Sequence, residues 1–154
     1  TGYLHSFPTG RSSDLAGFPA VPLSVVRAGW RVRAIDGTGK KVRFVEEAAR
    51  AMGLENLKAM HARAEELAGD KAMRFDLVVL RAVGPIARGL AYVHRLIRSR
   101  GGIVFYKATT MTDQEIQEGR TAARALGLTR FATFDVAVRS SGESLDRRLV
   151  RLGR

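Results

Sequence analysis

The chain has 154 residues, of which 45% are hydrophobic, and this is enough for one domain with a sizeable core. It contains no cysteine, which excludes disulfides and thiolate metal sites and fits a cytoplasmic protein, and no stretch predicts a membrane span or a signal peptide. The formal charge of +11 predicts a polyanionic partner and favours nucleic acid, the alternative being a basic surface that is merely solvated.

The N-terminal segment lacks the pattern of a regular element. Residues 1–14 cluster turn-forming residue types, and we predict that they are irregular. Residues 15–23 (LAGFPAVPL) look like the second half of a glycine-rich cofactor loop that leads into a helix. Only Gly17 of such a loop is present, because Ser12, Ser13, Asp14 and Leu15 stand where glycines should allow close approach to a ligand. No apolar strand precedes this half-loop.

Alternating helix and strand signals follow along the chain. The segment Lys40–Met52 is amphipathic at helical spacing, and Phe75–Leu80 (FDLVVL) is a continuous apolar run typical of a strand covered on both faces. Thr112 and Glu115 have the spacing of a capping box at the start of a helix. The predicted elements are helix Ala20–Arg27, strand Arg31–Ile35, helix Lys40–Met52, strands Leu57–His61 and Phe75–Leu80, helix Ile86–Ile97, strand Ile103–Tyr106, helix Thr112–Leu126, and strands Phe131–Val138 and Leu149–Leu152.

This alternation predicts an α/β domain with a doubly wound, mostly parallel sheet. The last two strands, separated by the polar turn at residues 140–142, are expected to form an antiparallel hairpin at the sheet edge. Ligands of such sheets bind at the carboxyl ends of the strands. The candidate positions are therefore the residues that follow each strand: Asp36-Gly37-Thr38, 62–66, Arg81-Ala82 and Lys107-Ala108.

Each candidate has an alternative role. Asp36 is interpreted as an acid that accepts hydrogen bonds from ribose hydroxyls, or as a cap for the helix that begins at Lys40. The segment 63–66 either contacts an adenine base or begins a short helix with acids at its positive end. Arg81 ends a buried strand and is expected to face the cleft, since burial without a partner is costly. Lys107 follows the buried strand Ile103–Tyr106 and is likewise expected to face the cleft, where it would contact a phosphate or a substrate.

The chain offers no assembly for acid–base or nucleophilic catalysis. No Ser-His-Asp or Cys-His set, paired-carboxylate site or P-loop pattern is present. The three histidines lie far apart without metal-ligand spacing, and His61 and His94 are interpreted as structural. The chemistry is therefore expected to need no strong acid or base, and no metal.

Five segments together resemble the small-subunit ribosomal RNA guanine-N7 methyltransferases, also called the glucose-inhibited division protein B family. These segments are AGFPAVPLSVVR (16–27), AIDGTGKKVRFVEEAARAMGLENL (34–57), ARAEEL (62–67), FDLVVLRAV (75–83) and FYKA (105–108). The resemblance covers residues 16–154 and implies a Rossmann-like class I methyltransferase domain, monomeric and cytoplasmic, that uses S-adenosylmethionine on small-subunit rRNA.

The resemblance also implies roles for particular residues. Gly17 and Phe18 would lie around the methionine part of the cofactor, and Arg81 at the mouth shared by cofactor and target base. The ribose and adenine would be contacted by Asp36, Gly37, Thr38, Ala64 and Glu65, and RNA by Lys107, Lys40 and Lys41. Guanine N7 carries an exposed lone pair, so it can take a methyl group without losing a proton. The absence of a catalytic acid or base agrees with that chemistry.

The N-terminus departs from the family pattern. The family has a helical segment and an apolar first strand before its glycine loop, so we expect this chain to be N-terminally truncated, with the first strand missing or non-native. The leader in residues 1–15 resembles a translated sequencing adapter and is expected to be foreign. Because Ser13 and Leu15 replace loop glycines, we expect weak cofactor binding. Two alternatives stay open: a Rossmann-type NAD-dependent oxidoreductase and a non-enzymatic basic RNA-binding module.

Overall fold

The computed structural model describes residues 2–7, 17–70, 73–140 and 143–154. In these ranges seven strands form one sheet in the order β3-β2-β1-β4-β5-β7-β6. The elements in chain order are β1 (Gly2–Phe7), α1 (Ala20–Val26), β2 (Arg31–Asp36), α2 (Gly39–Ala51), β3 (Leu57–His61), α3 (Ala64–Leu67), β4 (Phe75–Arg81), α4 (Ile86–Val93), a 3₁₀ turn (His94–Leu96), β5 (Ile97–Ala108), α5 (Asp113–Ala125), β6 (Arg130–Ser140) and β7 (Glu143–Gly153).

The doubly wound, mostly parallel sheet is confirmed. Strands β1 to β5 pair in parallel, and β7 pairs antiparallel with both β5 and β6. Two apolar clusters cover the two faces, one with α4 and α5 and the other with α1 and α2. The side chains of Val78, Val79 and Leu80 are at most 2% exposed, as expected for a strand covered on both faces.

The strand β1 (Gly2–Phe7) corrects the prediction of irregular structure for these residues. It also excludes the first of the two alternatives given for the first strand, that it is missing, whereas its being non-native stays a prediction. Its backbone pairs in parallel with β2 on one side and with β4 on the other. Without it, β2 and β4 would each present an unpaired edge in the middle of the sheet, so ladder hydrogen bonds on both sides outweigh a turn-forming composition. Residues 8–15 of the predicted leader, with Ser13 and Leu15, lie outside the described residues, and the foreign origin of the leader stays a prediction.

The predicted helix Ile86–Ile97 extends too far. Helix α4 ends at Val93, and Ile97 already belongs to β5, where it is 1% exposed and pairs with Phe75. Burial of Ile97 in the sheet therefore takes precedence over the helical spacing of its sequence. As a result β5 begins well before the predicted strand Ile103–Tyr106.

The C-terminal elements follow the predictions more closely. The Thr112 hydroxyl accepts a hydrogen bond from the backbone N–H of Glu115 at 3.2 Å, which is the capping interaction expected from their spacing. The antiparallel hairpin is confirmed, with β6 at the sheet edge and β7 between β5 and β6. Among the described helices, none combines the length and the apolar character that crossing a membrane requires.

Candidate functional site

The ends of four parallel strands bring the candidate residues to one edge of the sheet. Asp36 at the end of β2 pairs with His61 at the end of β3, and Arg81 at the end of β4 pairs with Tyr106 of β5. Lys107 directly follows Tyr106. The order β2-β1-β4 reverses the direction in which the chain builds the sheet, and such reversal points are where ligands bind in α/β folds.

Asp36 is a buried carboxylate whose two oxygens have different hydrogen-bond partners in the described part of the chain. Its side chain is 8% exposed, and Oδ1 accepts a hydrogen bond from the backbone N–H of Thr38 at 2.8 Å. Among the described residues Oδ2 has no hydrogen-bond donor, although Lys41 Nζ lies 3.8 Å away. Buried acceptors are nearly always satisfied, so Oδ2 fits a donor that a ligand brings.

Both interpretations of Asp36 therefore have a structural counterpart. Oδ1 fixes the turn before α2 because it accepts the hydrogen bond from the backbone N–H of Thr38, the residue just before the helix. The Thr38 side chain itself makes no capping hydrogen bond. Oδ2 is the atom that could accept a hydrogen bond from a ribose hydroxyl. Asp36 lines a small cavity together with Gly17, Lys41 and Ala59. The residues present fit a hydroxylated ligand at this position.

His61 was interpreted as structural, and the structure shows the contact by which it positions the loop after β2. Its Nε2 lies 3.0 Å from the carbonyl oxygen of Gly37, within hydrogen-bond distance. The imidazole also lies against Gly39, where a Cβ would be 3.6 Å from the ring. The parallel register that places His61 opposite Asp36 is the signal that could have identified it.

Gly17 lies where a side chain does not fit. Its φ is +81°, a conformation that residues with a Cβ rarely adopt, and its carbonyl accepts the N–H of Val21 in the first turn of α1. A Cβ at this position would lie 3.0 Å from Val21 Cγ2 and 3.3 Å from Val45 Cγ2. Gly17 therefore allows the loop to enter α1 next to the Asp36 cavity.

Substitution of Gly17 with alanine is expected to cost about 2 kcal/mol of unfolding free energy and to weaken cofactor binding several-fold, because strain and the contact with Val21 both displace the loop. The matched control is Gly53→Ala, where φ is +64° but no atom lies within 4 Å of the new Cβ. That control should lose only the backbone contribution of about 1 kcal/mol and keep its cofactor affinity. Urea unfolding and cofactor titration measure both quantities, and equal effects of the two variants would contradict the placement of Gly17.

Phe18 and Arg81 form a contact across the mouth of the site. The guanidinium carbon of Arg81 lies 5.2 Å from the centroid of the Phe18 ring, within range of a cation–π interaction, and Phe18 stays 39% exposed. Burial and the nearby positive charge of Arg147 lower the pKa of Arg81. After Arg81 the backbone of Ala82 takes a φ of +57°, which is strained for a residue with a side chain. Arg81 thus offers a partly desolvated positive charge to an anionic group.

The structure gives two of the three predicted RNA-binding lysines internal partners. Lys107 Nζ lies 2.6 Å from Glu115 Oε1 and donates to the carbonyl oxygen of Gly84 at 2.7 Å. Lys41 faces Asp36, whereas Lys40 is exposed on the same helix. Lys107 therefore ties the loop after β4 to α5, and an RNA contact by Lys40, Lys41 or Lys107 stays a prediction.

The segment after β3 forms the short helix that was one of its two interpretations. The backbone N–H of Arg63 donates to Glu66 Oε2 at 3.0 Å, so the acid caps the helix start. Ala64 is 3% exposed and Glu65 is exposed at the same edge as Asp36. Their proposed contact with adenine stays a prediction. The described residues contain no group of histidine, aspartate and glutamate side chains arranged to hold a metal ion.

Comparison with known proteins identifies relatives over most of the chain. Residues 15–140 match the GidB family, described as rRNA small subunit methyltransferase G. The ribosomal RNA small subunit methyltransferase G of Thermosynechococcus vestitus is 38% identical over 105 residues, which are 68% of this chain and 44% of that protein. The protein of the same name from Geobacter sp. strain M21 is 31% identical over 148 residues, 94% of this chain and 67% of that protein.

The fold is shared with more distant methyltransferases. The crystal structure of precorrin-6y C5,15-methyltransferase from Geobacter metallireducens aligns with a TM-score of 0.67 at 16% identity, covering 99% of this chain and 80% of that one. At this identity the likeness concerns the fold alone. The chain spans about half the length of several relatives that it matches, with 44% and 45% of two of them covered.

Proposed function

The chain belongs to the rRNA small subunit methyltransferase G family, and from this premise we propose that it transfers a methyl group from S-adenosylmethionine to N7 of a guanine in small-subunit rRNA. The observation that carries the proposal is the buried Asp36 at the end of β2: Oδ1 accepts a hydrogen bond from the backbone, and Oδ2 receives none from the residues that the structure describes. A carboxylate in that place suits the vicinal hydroxyls of an adenosine ribose.

The residues around Asp36 have separate binding roles in this proposal. Asp36 Oδ2 accepts a hydrogen bond from a ribose hydroxyl. His61 and the backbone N–H of Thr38 hold the loop after β2 in place. Arg81 supplies a positive charge for the carboxylate of the amino-acid part or for a phosphate of the target nucleotide. Gly37, Thr38, Ala64 and Glu65 border the adenine, and Gly17 and Phe18 border the methionine part.

No residue of the chain needs to act as a catalytic acid or base. When bound, S-adenosylmethionine would supply an electrophilic methyl group, to which guanine N7 would donate its lone pair while the sulfur keeps the electrons of the broken S–C bond, so that N7 loses no proton. The chain contributes by placing the two reacting groups in line and by excluding water at the mouth near Phe18 and Arg81. We further propose that the protein acts as a cytoplasmic monomer on an unstacked or looped target base.

The proposal includes reduced activity, because Ser13 and Leu15 replace glycines of the family loop. Calorimetric titration should give a dissociation constant for S-adenosylmethionine weaker than micromolar. The double substitution Ser13→Gly and Leu15→Gly is expected to strengthen binding by about tenfold, which corresponds to ~1.4 kcal/mol. Micromolar affinity in the unaltered chain would contradict the impairment, though not the function.

Transfer itself is tested with tritiated S-adenosylmethionine and small-subunit rRNA, followed by mass spectrometry of the digested RNA. The glycine-restored variant should label RNA faster than the unaltered chain, with the label on 7-methylguanosine. RNA binding that is indifferent to the cofactor, without labelling, would instead support the non-enzymatic RNA-binding module. Binding of NADH without binding of S-adenosylmethionine would support an oxidoreductase.

A further inference from the structure

An arginine-lined cleft lies at the edge of the sheet opposite the candidate site. Four arginines, Arg100, Arg130, Arg151 and Arg154, border a cavity of about 500 Å³, which we call the arginine cleft. It is located where β4, β5 and β6 begin and where β7 ends. Its apolar walls include Leu77 and Phe134, and the glycines at 101, 102 and 153 contribute no side chain to it.

The sheet register explains why these residues share one face. Arg151 is paired with Val104 on one side and with Ala132 on the other, and paired residues of neighbouring strands project to the same face. Leu152 projects to the opposite face, where it is buried with residues of α4 and α5. In contrast, Phe134 on the cleft face is 50% exposed.

The arginine cleft carries positive charge that the described residues do not neutralise. No ion pair joins its four arginines to the described acids, and the one acid in the lining, Asp76, binds Arg98 at 2.6 Å. Like charges held together on a rigid sheet raise the free energy of the unbound protein, and a polyanion removes that repulsion. Arginine suits phosphates because its planar guanidinium can donate two parallel hydrogen bonds.

The arginine cleft and Arg81 lie on the same face of the sheet. Side chains alternate along a strand, so Leu77 in the cleft and Arg81 at the candidate site both project to that face. Arg81 lies four positions after Leu77 in β4, which is roughly 13 Å at about 3.3 Å per residue. Val79 lies between them on that face and is buried against α1 and α2, so an RNA segment that reaches both positions has to pass over β7, where Arg147 and Arg151 are exposed.

We propose that the arginine cleft binds single-stranded or looped RNA, with phosphates held by its arginines and one base stacked on Phe134. An exposed aromatic ring beside several arginines is the combination that sequence-tolerant RNA binding uses. This inference rests on the proposed function, since the RNA is the substrate that reaches the candidate site. In this inference the arginine cleft binds the RNA at a point distant from the base that is methylated.

The test compares two charge-matched double variants in fluorescence anisotropy with a labelled small-subunit rRNA fragment. Arg130→Gln with Arg151→Gln removes two cleft arginines, and Arg50→Gln with Arg124→Gln removes two exposed arginines on the helices α2 and α5. The cleft variant should bind at least about tenfold more weakly and lower the slope of log K against log salt by roughly 1.4, while the control changes little. Equal losses in both variants would overturn the proposal.

Stacking is tested separately at Phe134. Phe134→Leu keeps an apolar side chain but loses the aromatic face, and RNA binding should weaken by about fivefold or more. Val136→Ala on the same exposed face serves as the control and should have little effect. Competition by polyglutamate as effective as competition by unlabelled RNA would show a site for acidic protein segments instead, and would overturn the RNA assignment.

A failure of this inference can be told apart from a failure of the proposed function. The cleft variants leave Asp36 and Arg81 unchanged, so S-adenosylmethionine should bind to them as to the parent. Cofactor binding and methyl transfer with unaltered RNA affinity in the cleft variants would overturn only the cleft assignment. Loss of cofactor binding in every chain, the glycine-restored parent included, would remove the proposed function on which it rests.

Discussion

Replacing Asp36 with alanine is expected to weaken S-adenosylmethionine binding about 100-fold, which corresponds to ~2.7 kcal/mol. The substitution removes the buried Oδ2, which accepts no hydrogen bond from the described residues and which we assign to a ribose hydroxyl, and hydrogen bonds to a charged group are worth ~1.5–3 kcal/mol. It also removes the acceptor of the Thr38 N–H, so the start of α2 loses its anchor. The titration uses the Ser13→Gly, Leu15→Gly parent, in which tighter binding makes a large loss measurable.

The two functions of Asp36 can be separated by a second substitution. Asp36→Asn keeps a carbonyl oxygen for the Thr38 N–H but has no charge, so the loop should stay in place while binding falls by about tenfold. Glu47→Gln, on the exposed face of α2, removes the same charge outside the site and should leave binding unchanged. Cofactor affinity in Asp36→Ala equal to that of the parent would refute the assignment of Asp36.

Helices and strands were predictable where their signal lies in residues that are close together in the sequence. The strand Leu57–His61 has the predicted bounds, and the amphipathic segment Lys40–Met52 forms α2 at Gly39–Ala51. For α2, the helical spacing of its buried residues and Gly53 just after its C-terminus define the element. The strand β1 (Gly2–Phe7) was missed because its stability comes from backbone pairing with two strands that are distant in the chain.

The candidate site was predictable only as a set of strand ends. Asp36 and Arg81 were identified because parallel strands bring their carboxyl ends to one edge, a rule that needs no three-dimensional detail. The contact between Phe18 and Arg81 was not predictable, since it depends on how the chain returns across the sheet. The same applies to Lys107, whose partner Glu115 belongs to a helix placed by tertiary packing.

The packing beneath this edge is tested by Gly89→Ala, which is expected to cost about 2–3 kcal/mol of unfolding free energy. Gly89 in α4 packs against Phe105 of β5, and a Cβ there would overlap the buried ring, lying 3.0 Å from Cζ and 3.2 Å from Val83 Cγ2. Helix propensity alone predicts the opposite sign, since alanine is favoured over glycine by ~1 kcal/mol. Urea unfolding at constant m-value measures the difference.

A double-mutant cycle attributes that cost to one contact. Phe105→Leu removes the ring, so the double variant Gly89→Ala, Phe105→Leu should be more stable than the sum of the single effects predicts, by at least about 1 kcal/mol. Gly69→Ala, where no atom lies within 4 Å of the new Cβ, is the control and should be nearly neutral. Additive effects would show that the cost of Gly89→Ala does not come from the contact with the Phe105 ring. A coupled result matters for the site as well, because α4 follows Gly84, whose carbonyl holds Lys107.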